Sequence, residues 1–220
     1  MAPSPHAWPV FDMPDVPQVA RPGSTPLPSD VQVDLSSFST GDFDRGASRV
    51  REAAWVLVSL VLFRACPLKL SALKCWVLRR FGARVGRGVV IKPEVKITFP
   101  WKLVLGNHVW LGEECWLLNL APITIADHVC ISQRAFLCTG NHDYQSPGFD
   151  LVTEPIQVDQ GAWVGAGAVV GPGVTFGTHA ILAAGSVAAK DLQPYGVYRG
   201  NPAVLVRQRQ IRPQGGTPRA

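Results

Sequence analysis

His142 stands in the stretch LCTGNHDYQSPGFD, residues 137–150, where an otherwise regular sequence pattern stops and a polar loop begins. A neutral imidazole within hydrogen-bond reach of a hydroxyl can take its proton as the oxygen attacks a carbonyl, an effect worth about 10²–10⁴-fold in rate. Such a base must lie at a groove, outside any packed core, beside a segment that can cover the bound hydroxyl. The remaining histidines carry less. His108 and His128 are 20 residues apart at equivalent places in the pattern and read as stacked turn residues on the outer surface; His179 has the same place further on, and His6 lies near the N-terminus. The cysteines, Cys66, Cys75, Cys115, Cys130 and Cys138, form no C-x-x-C pair. That spacing excludes a disulfide framework and a zinc ribbon and fits reduced thiols in a cytoplasm. Cys138, second in its repeat unit, is not assigned as a nucleophile.

What positions His142 is a six-residue beat. An aliphatic residue, often followed by glycine, recurs at Val85, Ile91 and Ile97, at Leu105, Leu111 and Leu117, and at Ile125, Ile131 and Leu137. After the break it resumes at Val158, Val164, Val170, Phe176, Leu182 and Ala188. A six-residue strand-and-turn unit cannot bury its aliphatic side chain alone, whereas stacked units lay these side chains in a column inside a triangular prism. Three units make one turn, so Leu105, Ile125 and Val158 are expected to begin successive coils. Gly106, Gly112, Gly165, Gly171 and Gly177 are expected at tight corners whose backbone a side chain would resist. The strands are too short for a sandwich, and no helical period intervenes for a doubly wound sheet. The pattern predicts a mainly β chain, a parallel β-helix of hexapeptide repeats over residues 83–193 with an inserted loop at 143–155.

The flanks differ. Residues 1–30 hold eight prolines and no periodic pattern, and read as a disordered arm. Residues 31–82 contain the apolar run AAWVLVSLVLF, residues 53–63, and a second candidate helix opened by Pro67. That helix has Leu70, Leu73, Val77 and Phe81 at helical spacing, Lys69, Lys74, Arg79 and Arg80 elsewhere on the cylinder, and Gly82 as its C-cap. Eleven residues cannot cross a bilayer core as a helix, which takes about 20. This helical hairpin, 53–81, either packs on the adjoining domain or subunit, or contacts an anionic membrane surface peripherally through Trp55, Trp76 and its basic residues. No charged stretch followed by an apolar core marks a signal peptide. Residues 194–220 form a basic tail, and from Lys190 onward there are six Lys or Arg and one Asp, in a chain of net charge +5. A phosphorylated small ligand suits such a tail as well as RNA does. No interleaving of basic and aromatic residues appears, so no nucleic-acid partner is expected.

Over about residues 33–210 the segments DLSSFS, RRFGARVGRGVVIKPEVKITFPWKLVLGNHVWLGE, ITIADHVCISQRAFLCTGNHDY and YRGNPAVLVRQR resemble the hexapeptide acyltransferases. Within that group the chain is most similar to the colanic-acid-biosynthesis type, related to the nodulation and galactoside/maltose O-acetyltransferases. The resemblance implies a left-handed coil, against the usual right-handed crossover rule. It implies a homotrimer with sites between adjacent prisms, and transfer of acetyl from acetyl-CoA to a sugar hydroxyl in bacterial exopolysaccharide synthesis. The acceptor would be a sugar or a lipid-linked oligosaccharide, met in the cytoplasm or at the inner membrane. It implies direct transfer without an acyl-enzyme or a metal. Carbonic anhydrases of this fold carry a further histidine five residues after the place of His142, where this chain has Pro147.

The resemblance makes His142 the catalytic base and Asn119 an acceptor-binding amide. Asp34 is a candidate to hold an acceptor hydroxyl or to tune a histidine across the interface, and Asp143 and Tyr144 are candidates to line the acceptor site. Asn119 as a turn residue bonded to backbone, and Asp143 and Tyr144 as the mere start of the loop, stay open. The thin pantetheine arm of coenzyme A requires small side chains along the prism, which WVGAGAVVGPG and ILAAGSVAAKD supply. Ala166 and Ala184 match backbone contacts to it and Trp163 matches the acetyl end. Lys190 and Arg207 match positions near the phosphates, and Arg199 is a further candidate. The competing functions are acetylation of another small acceptor, such as an antibiotic, an amino sugar or serine, and a non-catalytic trimeric scaffold. Serine acetyltransferases carry a longer helical N-terminal domain than this hairpin.

Overall fold

The computed structural model describes residues 31–65 and 70–212; the Pro-rich arm, the helix opening at Pro67 and the last eight residues lie outside them. The six-residue beat folds into three parallel faces. The first stacks Arg84–Val85, Leu103–Leu105, Ile123–Ile125, Ile156–Val158 and Thr175–Phe176, so Leu105, Ile125 and Val158 do begin successive coils. The second stacks Val90–Ile91, Trp110–Leu111, Cys130–Ile131, Trp163–Val164 and Ile181–Leu182, then adds Gly196–Arg199 in parallel and Val204–Gln208 antiparallel. The third stacks Lys96–Ile97, Trp116–Leu118, Phe136–Cys138, Val169–Val170 and Val187–Ala188. The beat residues of the middle coils, Leu111, Leu117, Ile125, Ile131, Leu137, Val158, Val164 and Val170, are fully buried. Each contributes about 1.5–3 kcal/mol of hydrophobic stabilisation. A second ring of small buried residues, among them Val109, Cys115, Val129, Ala135, Ala162 and Ala168, fills the space between the columns.

The corners revise one expectation. The glycines after the beat residues do not serve a left-handed backbone. A Cβ on Gly106 would stand 2.7 Å from the backbone of Ala126, and one on Gly165 2.5 Å from the Ala184 nitrogen. They are small because the next coil crosses directly against them. The left-handed positions fall two residues later and are mostly taken by other residue types, including Glu114, His128, Arg134 and His179.

The N-terminal segment closes one end of the prism. Helix α1, Arg49–Ser59, continues as a wider π turn, Leu60–Ala65, and helix α2 spans Ser71–Arg80. The first coil of a β-helix has no preceding coil to satisfy its backbone, and an open edge invites aggregation. Here the helices supply the partners. The Trp55 indole donates to the Ile97 carbonyl at 3.0 Å, Glu94 N to the Phe63 carbonyl at 2.8 Å, and the Arg79 guanidinium to the Val85 and Gly86 carbonyls. Ser71 exchanges hydrogen bonds with both backbone groups of Ile91. This need overturns the expected face of α2. Lys74, placed off the apolar face, is fully buried, donates to the Lys92 carbonyl at 3.1 Å and lies over the Phe63 ring, while Leu73, placed on that face, is exposed. Gly82 follows the helix at φ 94°, with its amide on Arg79 and that of Ala83 on Leu78, the expected C-cap.

The KITFPWKL segment latches the chain that precedes α1. Phe99 and Trp101 stack at 5.2 Å, the Trp101 indole donates to the Arg45 carbonyl, and Lys102 bonds the carbonyls of Asp44 and Leu120.

Candidate active site

The chain leaves its beat through Thr139, a buried residue whose hydroxyl donates to the Leu118 carbonyl and accepts from Ala121 N. Gly140–His142 then pairs antiparallel with Leu151–Thr153, with His142 opposite Leu151. The insertion expected as a loop at 143–155 is therefore a β-hairpin whose arm begins at Gly140, and His142 stands at the hairpin's turn end. Its ring stacks on Phe149, centroids 4.5 Å apart and planes 12° from parallel. Its Nδ1 lies 2.8 Å from the Phe149 carbonyl oxygen. A carbonyl can only accept, so Nδ1 carries the proton and Nε2 of the neutral ring keeps a lone pair. Phe149 itself is in the left-handed region, φ 53°, which helps turn its carbonyl inward.

A strap from far away in sequence closes over this hairpin. Asp34 N donates to the Pro147 carbonyl, Ser39 N to Asp150 Oδ1, and Leu151 N to the Ser39 carbonyl. Asp150 Oδ2 also accepts from the Ser146 hydroxyl, and Phe38 lies 5.9 Å from the His142 ring. Gly148 is buried under the strap, where a Cβ would come within 3.0 Å of the Ser37 carbonyl. Phe38, Ser39, Phe149 and Asp150 build the site and were not singled out by sequence reading. The Ser39–Asp150 bond spans 111 residues, and no local pattern encodes such a contact.

The expected acceptor residues divide. Asp34 caps a short turn, Leu35–Ser37, and its Oδ1 accepts from both the amide and the hydroxyl of Ser36, which hold its carboxyl below the usual range. It reaches the hairpin through its backbone, not through its carboxylate. Tyr144 is exposed and shares a cavity of about 580 Å³ with Val31–Val33 and Gln145–Pro147. Asp143 Oδ1 accepts from Gln145 N and organises the turn. Asn119 does not meet the expectation. Its side chain is fully buried, its Oδ1 accepts from Thr98 N and Phe99 N, and its Nδ2 donates to the Phe99 carbonyl at 2.6 Å. Those bonds make it a brace between coils.

The expected coenzyme residues lie elsewhere on the prism. Trp163 projects from the second face, 44% exposed, with its indole on the Ser132 hydroxyl. Ala166 and Ala184 are exposed on the edge between the second and third faces, one above the other, with Gly185 N bonded to the Ala166 carbonyl. Beside them Gly167 and Gly185 have left-handed φ of 64° and 67°, and nothing lies within 4 Å of where a Cβ would stand. Lower on the same edge, Glu114 and Arg134 pair across the coils. The edge thus turns from bulky and charged to a bare ledge, which fits a thin amide chain. Lys190, Arg199 and Arg207 are exposed toward the C-terminal end of the prism. His108 and His128 stack at 5.2 Å as turn residues, and among the described residues no group of three or more His, Cys, Asp or Glu could hold a metal ion.

No family model matches the chain. It is 42% identical over 176 residues to WcaF of Escherichia coli K12, a protein named for acetyl transfer in colanic acid biosynthesis; the match covers 80% of this chain and 97% of that one. It is 32% identical over 130 residues to nodulation protein L of Rhizobium meliloti, covering 57% and 70%. Among solved structures, a hexapeptide-repeat acetyltransferase of Vibrio cholerae is 25% identical with a TM-score of 0.66, covering 76% of this chain and 96% of that one. A galactoside acetyltransferase in complex with coenzyme A, 20% identical with a TM-score of 0.65 and covering 72% and 80%, shares the fold. With its left-handed parallel β-helix and these relatives, the chain belongs to the hexapeptide-repeat acetyltransferases that include WcaF.

Proposed function

We propose that the protein transfers acetyl from acetyl-CoA to a sugar hydroxyl in exopolysaccharide synthesis of the colanic-acid kind, with His142 as general base. The observation that carries the reading is the Nδ1 contact to the Phe149 carbonyl, which leaves Nε2 as the proton acceptor beside a built pocket wall. Nε2 takes the hydroxyl proton as the sugar oxygen bonds to the acetyl carbonyl carbon. The C–S bond then breaks, and the imidazolium returns the proton to the departing sulfur, leaving an acetyl ester and the free thiol. The chain covers nearly the whole of WcaF, which supports the acceptor class.

The ledge at Ala166 and Ala184 takes the pantetheine arm, Trp163 bounds the acetyl end, and Lys190, Arg199 and Arg207 meet the phosphates. Asp34, Asp143 and Tyr144 line the acceptor side. In one chain His142 leaves the third face, whereas the ledge lies on the edge between the second and third faces. A homotrimer that sets the hairpin of one prism against the ledge of the next joins these two halves into a site.

The test is calorimetric titration of acetyl-CoA into wild type and His142→Ala, followed by thiol release with candidate sugars. Binding to both proteins, with turnover in wild type alone, supports the reading. Failure of both folded proteins to bind acetyl-CoA would turn the assignment toward a scaffold.

A further inference from the structure

An exposed apolar stripe runs along the outward side of the N-terminal cap, in a segment dense with cations. At about 100° per residue, Leu57 stands roughly 160° around α1 from Trp55, the residue that plugs the prism. Along that outward stripe lie Val50, Ala53, Ala54, Leu57, Leu60 and Val61, all exposed, Val50 by 80% and Val61 by 70%. On α2, Leu73 and Trp76 are exposed too, and the Arg80 guanidinium lies over the Trp76 ring at 5.3 Å. A stripe this continuous on a surface helix is not the scattered exposure ordinary in soluble proteins. Between residues 45 and 92 the chain has eleven Lys or Arg and one acid, Glu52, which pairs with Arg45; Lys74 is buried, while among the described residues Arg45, Arg49, Arg64, Arg79, Arg80, Arg84 and Arg87 are exposed. That stretch is net +10 in a chain of net +5, so all the rest is net −5.

We infer that this face is a docking surface for an anionic lipid bilayer, on which the enzyme rests by the closed end of its prism. Apolar side chains flanked by a tryptophan and arginines enter the boundary between headgroups and acyl chains, and the surrounding cations meet lipid phosphates. No helix among the described residues is long and apolar enough to cross a membrane, and α1 is about 16 Å long, so the contact is peripheral. A second copy of the same face is disfavoured, because two such cationic surfaces repel. Nucleic acid would match the charge and leave the stripe in water. The first coil is already satisfied by the buried side of the cap, so the outward side has no structural duty within the chain. The inference stands apart from the acetyl-transfer reading, since it is tested without any acceptor.

The experiment is co-sedimentation of the full chain with vesicles of phosphatidylcholine alone and of phosphatidylcholine mixed with phosphatidylglycerol. Wild type should bind the mixed vesicles, bind the neutral ones far less, and release partly at high salt. Leu57→Glu and Trp76→Glu should each weaken binding about tenfold or more. Arg49→Gln with Arg64→Gln, exposed positions that leave the packed face untouched, should weaken it as well and provides the reading if the apolar variants do not fold. Equal binding to both vesicle types, no binding, or binding indifferent to all four changes would overturn the proposal. So would a change in oligomeric state by light scattering on Leu57→Glu, which would assign the face to another copy.

Discussion

Phe149 holds His142 twice, by ring stacking at 4.5 Å and by its carbonyl oxygen at 2.8 Å from Nδ1. One residue thereby fixes the plane of the imidazole and its tautomer. A base needs both, because an imidazole free to flip presents the wrong nitrogen part of the time.

His142→Ala is expected to lower the rate of thiol release by about 10²–10⁴-fold while leaving acetyl-CoA affinity intact. Paired kinetics and calorimetry check this. Retained turnover would remove His142 from the chemistry.

Asp150 acts by position, through the Ser39 amide and the Ser146 hydroxyl. Asp150→Ala frees the strap and the hairpin turn, so KM for the acceptor should rise and stability fall by about 1–3 kcal/mol. Asp150→Asn keeps an acceptor oxygen and should recover part of both. Steady-state kinetics and thermal melts read the two effects separately.

Asn119→Ala should do the opposite of an acceptor-site change. Removing a fully buried amide leaves the backbone of Thr98 and Phe99 without its partner, at a cost of about 1–3 kcal/mol. The acceptor KM of the folded protein should not move. A large rise in KM without destabilisation would restore Asn119 to the acceptor site.

Ala184→Trp places an indole on the open ledge. KM for acetyl-CoA should rise about tenfold or more, with the fold unchanged. A normal KM in this variant would show that the coenzyme takes another path.

Burial, with a smaller repulsion from Cys130, pushes the Cys115 thiol up to about 12, and burial also raises Cys75 and Cys130. A thiol kept neutral in the fold stabilises it below the unfolded value near 9, and that contribution is lost as pH rises from there toward 12. The urea midpoint should hold through neutral pH and fall in that alkaline window. Iodoacetamide should spare Cys115 in the native protein and label it in urea. Equal labelling rates in the two states would contradict its burial.

Much of the prism was written in the chain. Leu105, Ile125 and Val158 announce their stacking because every coil must bury a side chain at the same phase, and a local requirement repeated fifteen times is legible. His142 was legible for the complementary reason, as the residue at which that requirement is suspended. The second helix misled because its burial is set by the coil beneath it. Lys74 reads as a surface cation until the orphaned Lys92 carbonyl of the first coil is placed 3.1 Å from its ammonium. DLSSFS marked the strap as part of the family resemblance, but nothing local showed that it closes over the hairpin, and Phe149 and Asp150 had no signal of their own.

By itself, then, the sequence determined the period, the faces of the coil, the point of interruption and the family. Tertiary structure alone decided which nitrogen of His142 faces the Phe149 carbonyl, that Asn119 is a brace, and which side of the N-terminal helices meets solvent. Periodicity says which positions stack on which, Asn119 over Phe99 included, but not whether a polar side chain there turns inward to bond backbone or outward to solvent; the His142 tautomer and the outward side of the helices depend on contacts outside the repeat altogether.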